Sequence, residues 1–231
     1  RALASNPVKN FFFFSSIAVY GVDNHDSSIS EKTPVYLDTY YGLAKHSSEK
    51  LLEMTFLQLK EKHGNSLTIL RIPTIYGPNE QIIAHTPSGF LSTYLLGGEI
   101  TLWGDGSERR EFLFIDDLIK IVDLLSMITF EGIINLGSGQ GSSYKEALDI
   151  ISHLLGKQLI IHSKDRTKEK VDKVYDNSLF KNLFPTFSFT SLEEGLNSIL
   201  NQNRAHNKKM KCNICQEEIF HRTINGPFNK E

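Results

Sequence analysis

The sequence has few cysteines, and the two that it contains, Cys212 and Cys215, both lie within its last twenty residues. A disulfide framework therefore does not hold the main part of the fold together, and the cytoplasm is the expected location. Long apolar runs are also missing. None approaches the roughly 18 residues that a membrane-spanning helix needs, and the phenylalanine run at 11–14 is closed off by Ser15 and Ser16. We expect no membrane partner.

A large excess of positive or negative charge is also missing. The formal net charge is −2, and the lysines are scattered along the chain until the tail. Such a distribution has no basic footprint for nucleic acid or for an anionic membrane. We therefore expect a small-molecule partner and no nucleic acid.

Strand and helix patterns alternate through most of the sequence. The stretches "NFFFFSS", "SLTILRIPTIYGP" and "GIINLGSG" are solid apolar runs, which are typical of strands covered on both faces of a parallel sheet. Helical spacing predicts a helix from about 41 to 63 that stops at Gly64, and capping boxes at Ser143–Glu146 and Ser191–Glu194 predict two later helices. The pattern indicates an α/β fold with a largely parallel sheet.

Three further segments complete the predicted organisation. "PSGFLSTYLLGG" reads as a short helix capped by Ser88, and "ITLWGDGSERREFLFIDD" as a hairpin-like insertion that ends in a short strand. After Asn201 the composition becomes polar and basic. We therefore predict a catalytic and substrate-binding portion over 1–201, and a polar linker with a small tail over 202–231.

Two residues in "YYGLAKHSSEK", Tyr41 and Lys45, lie four positions apart in the predicted helix. They share one helix face, and an ammonium beside a phenol favours the phenolate, which is a usable general base. The spacing alone favours an ordinary surface pair, because such pairs arise by chance in many helices. However, Ser15 and Ser16 end the first strand, where open α/β sheets place their ligands, so a serine hydroxyl and the phenol can converge on one substrate hydroxyl.

Five segments carry a family resemblance. In this order, "FFFFSSIAVYG", "YYGLAKHSSEKL", "LRIPTIYGPN", "GDGSERREFLFIDDL" and "INLGSG" resemble successive motifs of the extended short-chain dehydrogenase/reductase family, the NAD-dependent sugar-nucleotide epimerases and dehydratases. The resemblance covers about residues 5–200. It implies a Rossmann-like doubly wound parallel sheet with a small C-terminal substrate-binding lobe, an NAD or NADP cofactor and a nucleotide-sugar substrate. A homodimer through the Tyr41 helix is a further expectation.

The resemblance also implies roles for individual residues. Ser16, Tyr41 and Lys45 would form the catalytic triad, in which Tyr41 deprotonates a sugar hydroxyl and hydride passes from that carbon to the cofactor. Lys45 would also hydrogen-bond the nicotinamide ribose. Ser15, Tyr41, Lys45 and Pro73 are therefore the predicted cofactor-binding residues.

Substrate contacts are predicted for Ser16, Thr74 and Arg110. Thr74 stands where the family often has an asparagine that touches the substrate phosphate, and plain strand packing is the alternative. Arg110 matches the arginine that clamps the nucleotide diphosphate, a task suited to the forked guanidinium. The alternative for Arg110 is a surface ion pair with Glu108 or Glu111.

Two departures from the family pattern narrow the prediction. Dehydratases of this family carry an acidic pair directly after the strand-end hydroxyl residue, whereas Ile17 and Ala18 stand here; this disfavours elimination and leaves epimerisation or simple oxidation and reduction. The glycine-rich turn expected before the first strand is missing, so we expect a fragment that lacks the first βαβ units. "GSGQG" at 137–141 is predicted to be a loop rather than a second dinucleotide site.

The tail contains half of a zinc-site pattern. Cys212 and Cys215 in "CNIC" are weak candidate ligands, with His221 as a conceivable third; two reduced cysteines in a disordered tail are the alternative, and we predict no metal. Two other functions stay open besides the enzyme: a non-catalytic sugar-nucleotide-binding protein, and a scaffold chain that works through its tail.

Overall fold

The computed structural model describes Ser5 and residues 8–21, 28–80, 86–167 and 169–204. Within these ranges the strands are β1 (Asn10–Ser16), β2 (Ser66–Ile72), β3 (Thr74–Tyr76), β4 (Ile100–Trp103), β5 (Arg109–Arg110), β6 (Phe112–Phe114), β7 (Gly132–Asn135), β8 (Ser142–Ser143) and β9 (Ile161–Lys164). The helices are α1 (Tyr40–His63), α2 (Pro87–Leu95), α3 (Ile115–Ser126), α4 (Tyr144–Leu155), α5 (Ser178–Leu183) and α6 (192–204). A 3-10 turn at Ile17–Tyr20 follows β1 directly.

The main sheet is parallel and has the strand order β1-β2-β7 in the described part of the chain. Every residue of the central strand β2 is buried, as its solid apolar run predicts. In the register of the sheet, Ser15 lies opposite Arg71, and Arg71 lies opposite Asn135. The carboxyl ends of the three strands therefore lie side by side. The predicted α/β class and parallel sheet are confirmed.

Helices cover both faces of this sheet. Alternate residues of β2 point to opposite faces, so Leu67 and Ile69 pack with Phe56 of α1, whereas Leu70 packs with Ile121 of α3 on the other side. Burial of each such side chain contributes about 1.5–3 kcal/mol. The result is the three-layer arrangement of a doubly wound α/β fold.

A second, smaller lobe contains short strands and the helices α2, α4 and α6, whereas Phe180 of α5 packs with Leu70 and Ile134 of the main sheet. The core of this lobe gathers residues from β4, α2, α4 and α6, namely Leu102, Phe90, Leu148 and Leu196. Strand β4 pairs with β9, β5 with β8, and β6 with β3. This lobe corresponds to the predicted C-terminal lobe.

Several predicted helix ends are confirmed in the structure. Helix α1 ends at Gly64, which has a left-handed φ of 65° and donates its N–H to the Lys60 carbonyl; only glycine adopts this conformation without strain. The capping box at Ser143 and Glu146 is present. The box that opens α6 is present too, since the backbone N–H groups of Ser191 and Glu194 each bond the other residue's side chain.

The predicted hairpin is wrong. Strand β4 pairs in parallel with β9, some sixty residues further along, and β6 pairs in parallel with β3. The stretch from Ile100 to Phe114 is divided among three different partner strands rather than folding back on itself, because each short strand gains its hydrogen bonds from a distant segment.

Two local predictions are also wrong. The strand predicted over "SLTILRIPTIYGP" is interrupted at Pro73, which lacks an N–H for the ladder, and β3 beyond it pairs with β6 instead. The N-cap of α2 is Thr86, whose Oγ1 accepts from the Gly89 N–H at 2.9 Å. Ser88 is not the cap, because its hydroxyl donates to the carboxylate of Glu80.

The last described helix, α6, runs over 192–204 and so extends past the predicted boundary at residue 201. The division of the chain at that point stays a prediction, and Cys212, Cys215 and His221 lie outside the described residues. Of the helices described, none combines the length and the apolar character that spanning a membrane requires.

Candidate functional site

Ser16 stands at the turn from β1 into the 3-10 turn. Its backbone is extended, and its Oγ accepts from the Ala18 N–H at 3.2 Å. The serine hydroxyl is therefore fixed at the carboxyl end of the strand, where open α/β sheets bind ligands.

Helix α1 begins close beside this turn. Thr39 caps it by accepting from the Gly42 N–H at 3.0 Å, and Gly42 lies against the carbonyl of Ala18. A Cβ at residue 42 would lie only 2.6 Å from that oxygen, so only glycine permits this approach. The glycine of "YYGLAK" therefore brings the first turn of α1 to the Ser16 turn.

Tyr41 and Lys45 lie on one face of α1. The Lys45 Nζ donates to the Phe14 carbonyl at 2.7 Å and lies 5.7 Å from the centroid of the Tyr41 ring, which is within the range of a cation–π contact. The Tyr41 side chain is 56% exposed. The carbonyl of β1 thus holds the ammonium beside an accessible phenol.

Most of the predicted site residues line one pocket. It has a volume of about 340 Å³ and lies between the strand ends and the second lobe. Ten residues line it: Ser16, Ile17, Ala18, Gly21, Tyr41, Pro73, Thr74, Arg110, Lys173 and Tyr175. A larger cavity of about 620 Å³ lies in the second lobe among Tyr94, Leu155 and Leu200, and none of the predicted site residues lines it.

Ser15 and Lys45 do not line the pocket. Lys45 contacts the Phe14 carbonyl and the Tyr41 ring instead. The Ser15 hydroxyl is buried and donates to Glu49 Oε1 at 2.5 Å, so its side chain faces α1. A cofactor contact through Ser15 stays a prediction.

Arg110 lines the pocket and is also paired. Its guanidinium forms an ion pair with Glu108 and donates to the carbonyl of Val171. Glu108 also pairs with Arg166 at 3.0 Å. The ion pair that was the alternative reading is therefore present in the structure, and the diphosphate clamp stays a prediction.

Glu111, the other partner considered for Arg110, has a different role. It is almost fully buried and accepts from the backbone N–H groups of Tyr175, at 2.6 Å, and Gly139, at 3.3 Å. Burial raises the pKa of Glu111, and these hydrogen bonds offset the rise only in part. Glu111 thus ties the 137–141 loop to the segment that supplies Tyr175.

Lys173 and Tyr175 are site residues that the sequence analysis missed. Their segment is extended and buries alternate residues, Val171, Lys173 and Tyr175, and the Lys173 N–H donates to the Arg109 carbonyl at 2.9 Å. Burial raises the pKa of the Tyr175 phenol, so this tyrosine is unsuited to be a base. The signal was the period-2 pattern in "VDKVYD", which puts a lysine at an inward position.

The loop prediction for 137–141 is confirmed. The segment connects β7 with the two-residue strand β8, and α4 begins directly after that strand. The Ser143–Glu146 capping box closes the N-terminus of α4, and the loop itself donates to the Glu111 carboxylate through the Gly139 N–H. Among the described residues no group of three or more His, Cys, Asp or Glu side chains could hold a metal ion.

The strand ends, α1 and the pocket define an α/β protein with a pocket at the carboxyl edge of a parallel sheet. The chain belongs to the NAD dependent epimerase/dehydratase family, whose model matches residues 1–137. This confirms the resemblance seen in the sequence motifs.

Individual relatives are more distant. The chain is 27% identical to YtcB of Bacillus subtilis (strain 168), named as an uncharacterized UDP-glucose epimerase, over 85% of this chain and 61% of that protein. It is also 27% identical to GDP-mannose 3,5-epimerase of Arabidopsis thaliana, over 85% of this chain and 54% of that enzyme. It therefore spans about half to three fifths of the length of these relatives.

A solved structure agrees with the fold. UDP-glucose 4-epimerase of Thermotoga maritima, solved with UDP-glucose, superposes with a TM-score of 0.75 at 25% identity, over 88% of this chain and 66% of that one. The Rossmann-like architecture of the described part is thus shared with a nucleotide-sugar epimerase.

Proposed function

We propose that the protein containing this chain is an NAD-dependent sugar-nucleotide epimerase or reductase in which Tyr41 removes a proton from a sugar hydroxyl. The observation that carries the proposal is the pocket shared by Ser16 and Tyr41, with the Lys45 ammonium held behind Tyr41. UDP-glucose and GDP-mannose, for which these relatives are named, support a nucleoside diphosphate sugar as the substrate class.

The described residues fit one end of an NAD molecule. Lys45 and Tyr41 supply polar groups for the nicotinamide ribose at the end of β1, and Pro73 contributes an apolar wall of the pocket. We assign no described residue to the pyrophosphate end, because the helix N-terminus that follows the Gly-x-Gly-x-Gly run at 137–141 is closed by a capping box, and the Glu111 carboxylate lies against this loop. When bound, NAD supplies the hydride acceptor.

Within the pocket each residue has a distinct task. The Tyr41 phenolate accepts the proton of the sugar hydroxyl, and the Ser16 hydroxyl bonds the same oxygen and orients it. Lys45 stabilises the phenolate by its charge. Ile17 and Ala18, which also line the pocket, have no group that exchanges protons, and this supports epimerisation or reduction over elimination.

The positive side chains lie on the side of the pocket formed by the second lobe. Arg110 and Lys173 both line it, and a guanidinium or ammonium there suits the diphosphate of the substrate. Thr74 is the first residue of β3 and lines the same pocket. We assign these three residues to substrate binding.

Replacing Tyr41 by phenylalanine tests the proposal. In the protein that carries this chain, Tyr41→Phe removes the general base and leaves the ring, so turnover of the nucleotide sugar should fall by about 10²- to 10⁴-fold. The affinity for NAD should change little, whereas Lys45→Met should weaken it. A Tyr41→Phe protein that keeps most of its turnover would refute the assignment, and an unmodified protein without any NAD-dependent turnover would favour a non-catalytic binding protein.

We further propose that α1 forms a homodimer interface. Apolar side chains that recur at helical spacing are 47–94% exposed on this helix, at Tyr40, Leu43, Leu51, Met54 and Leu57. Leu51→Glu with Met54→Glu should convert a dimer into a monomer in analytical ultracentrifugation, because two charges would be buried unpaired. Dimers that persist unchanged would remove α1 from the interface.

A further inference from the structure

A row of polar side chains lies buried beneath the pocket. Ser15 of β1, Arg71 of β2 and Asn135 of β7 occupy neighbouring positions across the parallel sheet, and each is at most 4% exposed. None of the three lines the pocket, and the mechanism above assigns no chemistry to Arg71 or Asn135. An arginine in such a place is unusual, since charged side chains are rarely buried unless they are paired.

Glu49 of α1 covers this row. Its side chain is fully buried. Oε1 accepts from Ser15 Oγ at 2.5 Å and from Arg71 Nε at 3.1 Å, and Oε2 accepts from Arg71 Nη2 at 2.8 Å. His46 Nδ1 lies 3.1 Å from Oε2. One carboxylate of the helix is thus bonded to the ends of two adjacent strands, and its bond to the guanidinium is bidentate.

The network continues to the turn that follows Ser16. The guanidinium of Arg71 lies over the ring of Tyr20, 4.8 Å from its centroid, and the Tyr20 hydroxyl donates to Asn135 Oδ1 at 2.8 Å. Tyr20 belongs to the 3-10 turn in which the Ala18 carbonyl lies against Gly42. Through Glu49 and Tyr20, Arg71 therefore links α1, which carries Tyr41 and Lys45, to the turn that follows Ser16.

The spacing on α1 relates Glu49 to those groups. Glu49 lies one turn after Lys45 and two turns after Tyr41, so the three residues share one helix face. Each of the last three residues of β1 has a partner on this face. The Phe14 carbonyl bonds Lys45, the Ser15 hydroxyl bonds Glu49, and Ser16 shares the pocket with Tyr41. A shift of α1 along the strand would break all three relations together.

We propose that Glu49 is a positioning residue, which with Arg71 fixes α1 on the strand ends so that Tyr41 stands at the pocket with the Lys45 ammonium beside its ring. A buried ion pair adds little stability over a well-packed apolar pair, whereas its bidentate geometry permits one relative placement of helix and strand. The kinetic part of this inference rests on the proposed function.

The variants are chosen to disturb placement rather than folding. Glu49→Gln keeps the size of the side chain, but it replaces one of the two carboxylate oxygens by an N–H₂ group. That group is a donor, so the bidentate pairing with the Arg71 guanidinium is lost. The double variant Glu49→Gln with Arg71→Met leaves no unpaired buried charge, so it tests the proposal even if the single variant folds poorly. Glu53→Gln is the matched control, since Glu53 lies one turn further along α1 and pairs only at the surface, with Lys50 at 2.8 Å.

The kinetic readout is kcat for each NAD-binding site, together with KM for the nucleotide sugar. We expect kcat to fall about 10- to 100-fold in both Glu49 variants, the size expected of a misplacement near 1 Å, with KM changed less than about twofold because the substrate-binding residues are elsewhere. Glu53→Gln should match the parent. If Glu49 only stabilised the fold, its replacement would reduce the number of NAD-binding sites but leave kcat per site unchanged. That result would overturn the proposal.

A crystal structure of each variant gives a readout that needs no turnover. The Lys45 Nζ to Phe14 carbonyl distance is 2.7 Å. It should be retained in Glu53→Gln and exceed about 3.5 Å, the limit of a hydrogen bond, in both Glu49 variants. If the parent protein shows no turnover, the proposed function fails while this distance still decides the positioning role. An unchanged distance in the Glu49 variants would refute it.

Discussion

Glu49 and Glu111 are equally inaccessible to solvent, one in the sheet-and-helix region and the other beside the second lobe. Burial alone would raise the pKa of both carboxyls. At Glu49 the hydrogen bonds from Arg71 and Ser15 outweigh burial and lower the pKa. At Glu111 the donors are backbone N–H groups, burial dominates, and the pKa is raised. A cation in contact decides the sign of the shift.

The comparison extends to the two regions as a whole. The sheet-and-helix region holds the proposed catalytic groups through a charged pair that is 3% and 0% exposed. In the second lobe the ion pairs are more accessible, as with Arg109 and Glu146 at 43% and 49%. Exposed pairs contribute little. We therefore expect the stability of the protein to depend more on the buried pair of the first region than on the exposed pairs of the second.

The largest difference between the regions should appear in stability. Glu49→Ala leaves the Arg71 guanidinium buried without its carboxylate, which should reduce the free energy of unfolding by about 3–5 kcal/mol. Glu146→Ala removes an exposed pair and one half of the capping box of α4, and it should cost less, about 1–2 kcal/mol. Urea unfolding followed by circular dichroism measures both, and equal losses would contradict the comparison.

The next largest effect concerns binding at the second lobe. Arg110→Ala should raise KM for the nucleotide sugar by the equivalent of about 1.5–3 kcal/mol, as expected for a charge-assisted contact. The kcat of the variant and its affinity for NAD should change little. Initial-rate kinetics of the parent and the variant give these constants. An unchanged KM would leave Arg110 with only its ion pair to Glu108.

The smallest effect is a difference in pH dependence. The lowered pKa of Glu49 means that its contribution to stability is present above its ordinary value of 4.5 and is lost as the pH falls through the folded-state pKa. The raised pKa of Glu111 means the reverse: its contribution is full below 4.5 and is lost as the pH rises through its folded-state pKa.

Unfolding free energies between about pH 2 and 7 test this for Glu49→Gln and Glu111→Gln against the parent. The loss caused by Glu49→Gln should shrink toward acid pH, whereas the loss caused by Glu111→Gln should grow. A difference of one pKa unit corresponds to about 1.4 kcal/mol. Parallel pH curves for the two variants would show that the carboxyls are not distinguished as the structure indicates.

The features that the sequence predicted well are local. The end of α1 at Gly64 and the box at Ser143 depend on residues within one helical turn, and β2 is recognisable because burial on both faces leaves no polar alternation. The convergence of Ser16 and Tyr41 on one pocket agrees with the motif spacing. Their catalytic roles stay predictions.

The features that were missed depend on distant contacts. Strand β4 finds its partner in β9, and Lys173 reaches the pocket because its segment pairs beside Arg110. Likewise Glu49 and Arg71 are twenty-two residues apart and give no local sign that they pair. Propensity and spacing describe a segment, whereas these contacts depend on which segments become neighbours.

Pro73 has a mechanical consequence for the whole molecule. It is the single residue between the last residue of β2 in the main sheet and the first residue of β3 in the second lobe, and it lines the pocket. A proline fixes one of its two backbone torsions, so the connection between the two lobes at this point is stiff rather than flexible. Any force that turned one lobe against the other would act on the pocket wall itself, and the width of the pocket would report the angle between the lobes.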